Sequence, residues 1–141
     1  MRVLAVLTAM VVLATAAPAH ADWQWTRWGM TPEEVTAASG SKTVVNRYGH
    51  LAMPDPLVIG GCPFAVAFEF DDKQKLEAVV LDADKDCYSD MVTALTATYG
   101  PPIEDRGYSR LYADPIKGNE ISIIGIYGGT TIKYRPLPTG L

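Results

Sequence analysis

The chain has 141 residues, with 12 Lys and Arg against 16 Asp and Glu and a net charge of −4. That balance disfavours nucleic acid, which needs a basic face to displace counterions from phosphates, and gives no attraction to anionic lipid. The length suits one domain with a modest core.

The first residues carry one positive charge, Arg2, then an uncharged apolar run from Val3 to Ala17, then Pro18 and the small-residue site Ala19-His20-Ala21. This three-part pattern is that of a secretory signal peptide. The run is shorter than the roughly 20 residues that a helix needs to cross the hydrocarbon core. The expectation is a leader over 1–21 and a single exported domain over 22–141, without a membrane span, periplasmic or secreted. The exported part holds all 16 acidic residues and 11 basic ones, for a net charge of −5.

Trp23, Trp25 and Trp28 open that domain. In an extended segment Trp23 and Trp25 share one face, either as a first strand over the core or as aromatic anchors for a partner. Thr31-Pro32-Glu33-Glu34 then combines a capping residue, a proline suited to the first helical position and a glutamate able to close a capping box. A short helix follows, ending at Gly40. Ser41 to Gly61, with Pro54, Pro56 and Gly60-Gly61, reads as a loop with one short strand. Phe64, Val66, Phe68 and Phe70 alternate with smaller or polar residues and predict a strand; after the polar turn Asp71 to Lys75, Leu76 to Asp82 reads as its returning partner.

Asp82-Ala83-Asp84-Lys85-Asp86 imitates the first half of a calcium loop. Cys87 stands where such a loop needs glycine and Thr93 where it needs a bidentate glutamate, so a solvated acidic turn is expected and no metal. Met91, Val92, Leu95 and Tyr99 then recur at helical spacing over Ser89 to Tyr99, stopped by Gly100-Pro101-Pro102. Ser109 to Ala113, Glu120 to Tyr127 and Thr130 to Pro136 read as strands, the last two joined by Gly128-Gly129.

The helix-then-strands order therefore repeats. Gly29-Met30-Thr31, with Val35 and Gly40 following, resembles the opening of the αββ module of SmpA/OmlA (BamE-type) envelope proteins. The doubled unit, with Tyr99-Gly100-Pro101-Pro102 as the second helix exit, resembles β-lactamase-inhibitor-protein-like αββ repeats. The resemblance implies an α+β fold of two tandem αββ modules, helices packed on one face of an antiparallel sheet. It also implies roles in outer-membrane assembly or in binding and inhibiting other proteins. Envelope lipoproteins of that type carry a cysteine directly after the cleavage point; Asp22 stands there, so a lipid anchor is not expected.

Cys62 and Cys87 are the two cysteines. An even count in an oxidising compartment reads as one disulfide, and neither a Cys-x-x-Cys spacing nor a second exported histidine supports a redox or metal pair. His50 is the one imidazole of the exported part, in a glycine-containing loop without a partner nucleophile. Glu69, Glu77, Glu104 and Glu120 match no recognised catalytic motif. No catalytic residue and no cofactor is expected.

What remains is protein binding. Tyr108, Arg110, Tyr112, Tyr127, Lys133 and Tyr134 form an aromatic and polar set on the C-terminal strands, with Tyr108, Arg110 and Tyr112 on one side by alternation. The candidates for partner contact are Trp23, Trp25, Tyr108, Arg110, Tyr112 and Asp84. The expected function is non-catalytic binding of another envelope protein, as an accessory or scaffold factor. The alternative is a secreted inhibitor or immunity protein that blocks an incoming lytic enzyme with its acidic turn.

Overall fold

The computed structural model describes residues 22–138; the expected leader, 1–21, lies outside the described residues. Two very short strands, β1 (Asp22–Trp23) and β2 (Thr26–Arg27), form a ribbon in which Trp23 opposes Thr26. Gln24 and Trp25 are thus its turn, and no extended Trp23–Trp25 strand forms. The first helix, α1 (Pro32–Ala38), starts on the expected capping box: the Glu34 amide donates to the Thr31 hydroxyl at 3.2 Å and the Thr31 amide to Glu34 Oε1 at 3.4 Å.

Ser41 to Gly61 holds three short strands, β3 (Val44–Val45), β4 (Leu51–Ala52) and β5 (Leu57–Ile59). The central hairpin follows, β6 (Cys62–Phe70) and β7 (Leu76–Ala83), then α2 (Tyr88–Tyr99). Four more strands complete the fold: β8 (Glu104–Asp105), β9 (Ser109–Asp114), β10 (Asn119–Ile126) and β11 (Gly129–Pro136). A nine-stranded sheet runs in the order β3-β4-β6-β7-β11-β10-β9-β8, with β5 also paired to β6, and every pairing is antiparallel.

Register explains which residues form the core. Tyr112, Ile121, Tyr134, Val79 and Phe68 stand side by side across β9, β10, β11, β7 and β6, and the next core row is Arg110, Ile123, Ile132, Leu81 and Val66. Both rows face α2, which packs Met91, Val92 and Leu95 on them and lies over β9 and β10. Trp23 and Trp25 cover the far end, their ring centroids 6.2 and 5.7 Å from that of Phe68. Glu69 opposes Ala78 and Phe70 opposes Leu76, which leaves Glu77 as an extra residue and returns Leu76 to the core face.

The architecture is a correction to the two-module αββ expectation. The chain is mostly antiparallel sheet, with helices of only 7 and 12 residues. Helix α1 contributes Val35 alone to the buried core, so α2 is the main helical cover of the sheet. Ser41 to Gly61 holds three strands where one was expected, and β8 was not expected; each is two or three residues long, too short for alternation to show.

The opposite sheet face is left open by both helices. Its residues include Ala65, Ala67, Val80, Thr131, Ile124, Ser122 and Leu111, with ion pairs Lys133–Glu69 at 3.0 Å and Arg135–Glu120 at 2.7 Å.

Hydroxyls join α2 to the sheet: Tyr112 with Thr96 at 2.8 Å, and Tyr134 with Tyr99. Burial, reinforced by Tyr99, pushes the Tyr134 phenol well above its ordinary 10.0, and burial raises Tyr99 as well. The folded protein thus keeps protons that the unfolded chain releases. Stability is therefore full below about pH 10 and falls as pH rises beyond it. Tyr134→Phe should move the alkaline unfolding midpoint, followed by circular dichroism, to higher pH. An unchanged midpoint would show that Tyr134 does not drive the transition.

Candidate functional site

Three turns far apart in sequence meet at one end of the sheet. Ile126 opposes Gly129, so Tyr127 and Gly128 form the two-residue turn of the β10–β11 hairpin, with φ of 52° and 76°. Positive φ at both positions is the type I′ signature, normally met by Asn, Asp or Gly; an aromatic residue there is strained by about 1–2 kcal/mol. The turn thus lies one residue earlier than the Gly128-Gly129 pair expected from the sequence. Gly129 instead opens β11, where an added Cβ would sit 3.2 Å from the Ala83 carbonyl oxygen.

Because Thr130 opposes Ala83, the acidic turn Asp84-Lys85-Asp86 lies beside this tip. Buried Thr130 holds it there: its hydroxyl accepts from the Cys87 amide at 2.9 Å and donates to the Lys85 carbonyl at 3.1 Å. On the other flank, the Gly125 amide donates to the Tyr108 carbonyl at 2.8 Å, which attaches the turn 106–108. There the Gly107 amide donates to Asp105 Oδ1 at 2.9 Å; this bond first, then Arg110, holds the Asp105 carboxyl below its usual range. A fourth segment, Gly60-Gly61, is brought in by the Cys62–Cys87 disulfide, whose Cα atoms are 6.3 Å apart.

No protein family, curated relative or solved structure matches this chain.

The geometry sorts the candidates drawn from the sequence. Cys62 and Cys87 are bonded and buried, which is compatible with an oxidising compartment. Tyr108 is 54% exposed and Asp84 is exposed, and both belong to the turn cluster. Tyr112 is fully buried under α2, so it is a core residue and its ring is closed to a partner. Arg110 shares that covered face, with Nε 3.2 Å from Asp105 Oδ1. The side of β9 on which Arg110 and Tyr112 were expected to meet a partner is therefore the side that α2 covers. Trp23 is buried and Trp25 is half-buried against Phe68, so both serve the core. Tyr134 lies in the core row and Lys133 pairs with Glu69 on the open face.

Tyr127 is completely exposed, with Ile126 at 47% beside it. Sequence reasoning read Ile126, Tyr127 and Thr130 as strand residues without seeing their place at the tip, and it did not single out Tyr88. The Tyr-Gly pair at the middle of an apolar-to-Thr run was the available signal for a hairpin turn.

Asp86 Oδ1 accepts from the Tyr88 amide at 3.3 Å and Asp82 accepts from Thr131, so two of the acids already serve local structure. Among the described residues no three His, Cys, Asp or Glu side chains converge to hold a metal ion, and no helix is long and apolar enough to cross a membrane. His50 is exposed between β3 and β4. Two open depressions flank α1, one lined by Arg27, Trp28, Gly29, Met30 and Glu34, and neither contains a histidine or cysteine.

Proposed function

We propose that this protein is an exported, non-catalytic protein-binding domain of the bacterial cell envelope, periplasmic or secreted, that docks an envelope partner through the turn cluster at the disulfide end. The observation that carries the proposal is Tyr127, an aromatic ring fully exposed on a backbone position that favours glycine or asparagine. Strain that contributes nothing to packing is a feature of functional positions, and tyrosine is among the residues that anchor protein interfaces. Ile126 and Tyr108 extend the same surface, and the disulfide suits the oxidising compartment to which the proposed leader would direct the chain.

Tyr127→Asn separates function from fold, because Asn-Gly is the preferred type I′ pair. The variant should melt at the same temperature or a few degrees higher. A photo-crosslinking residue at position 108 should then give at least about tenfold less partner adduct in that background than in the wild type, the loss expected on removing an interface hot spot. Undiminished adduct would sink the proposal.

A secreted inhibitor is the second reading. The exposed acidic turn Asp84 to Asp86 beside a protruding ring has the shape and charge to enter a cationic cleft. It is distinguished by stoichiometric loss of the captured partner's own activity; an accessory factor leaves that activity intact.

A further inference from the structure

Tyr88 is placed unlike the other residues of α2. It is the first residue of the helix, directly after disulfide-bonded Cys87, and its side chain lies against β10 at Gly125. A Cβ added to Gly125 would come within 2.7 Å of Tyr88 Cδ2, so only glycine leaves room for the ring. The Tyr88 hydroxyl then reaches 2.7 Å to the Gly107 carbonyl, 19 residues along the chain. Burial raises its phenol above the ordinary value.

Gly107 is the middle of the turn that carries Tyr108, and the Tyr108 carbonyl is bonded by the Gly125 amide. One connected path therefore runs from Cys62 through the disulfide to Tyr88, across to Gly107 and Tyr108, and back through Gly125 to the tip at Ile126 and Tyr127.

We infer that Tyr88 is the positioning residue of the docking surface: its ring on Gly125 and its hydroxyl on the Gly107 carbonyl fix Tyr108 relative to the hairpin tip. This rests on the docking reading given above. The partner then meets a surface already in its bound shape, without the ordering cost that a loose pair of loops would impose.

Tyr88→Phe tests it with the full chain, since it keeps the ring on Gly125 and removes only the hydroxyl. Backbone amides at 106–109 should exchange about fivefold faster, as expected for loss of one hydrogen bond. Amides at 91–95 that exchange by local opening should not change, and the melting temperature should fall by no more than about 4 °C. A photo-crosslinking residue at position 85, exposed on the neighbouring turn, should give correspondingly less adduct in this background in the native cell. Tyr88→Ala, which also frees the space over Gly125, should loosen 106–109 further. Unchanged exchange at 106–109 in Tyr88→Phe overturns the inference and leaves docking intact if the adduct persists. Absence of any adduct from position 85 in the otherwise wild-type chain overturns the docking reading, and the positioning role with it.

Discussion

Phe68→Ala should destabilise the protein by about 4 kcal/mol, the cost of emptying a fully buried phenylalanine site whose surroundings relax only in part. Phe68 is 1% exposed and sits in the core row opposite Val79, with both Trp23 and Trp25 edge-on or tilted against it. Its removal therefore withdraws the support of the N-terminal ribbon as well as its own burial. For a domain of this size the melting temperature should fall by about 15 °C. Urea titration checks the mechanism: the midpoint should drop with little change in slope, since the native state keeps its extent of burial. A loss below about 1.5 kcal/mol would mean that the ribbon collapses into the vacated space.

Replacing both Cys62 and Cys87 by serine should cost about 3 kcal/mol, because the crosslink closes a loop of 25 residues and removes that freedom from the unfolded chain. The fall in melting temperature should be about 10 °C, and the wild type in reductant should melt with the variant. Position makes the local effect larger than the global one. The bond ties the start of β6 to the residue that caps α2, so without it the turns at Gly60-Gly61 and Asp84 to Asp86 lose their common anchor. Amide exchange should rise there before it rises in β10 or β11. Equal melting of variant and wild type would show that packing alone holds the two segments together.

Local chemistry made some elements legible from the residues. Thr31 and Glu34 announce the start of α1, the Phe64 to Phe70 alternation announces β6, and Met91, Val92 and Leu95 mark the buried stripe of α2. The cysteine pair was deducible from count and compartment. The sheet order was not, because nothing within β11 states that Thr130 to Tyr134 will lie against Ala83 to Val79 rather than against another strand. Nor could the sequence say which side of β9 would be covered: alternation put Arg110 and Tyr112 together, but the packing of α2 decided that their side was the interior. Tyr88 was invisible for a similar reason, since its two partners, Gly107 and Gly125, lie 19 and 37 residues away. Trp25 looked like part of a strand because aromatic alternation takes no account of a Gln24 backbone at φ 49°.

The place of β11 has a consequence for how the chain matures. The last strand described is also a central one, hydrogen-bonded to β7 on one side and β10 on the other. Until residue 136 has been synthesised, β6–β7 and β9–β10 are separate pieces, each with a bare edge and an uncovered apolar face. Pairing Thr130 with Ala83 closes a long span of chain, and such closure is slow and comes late. A nascent chain of this topology therefore cannot complete its sheet until β11 has emerged, and its two halves then close as one unit.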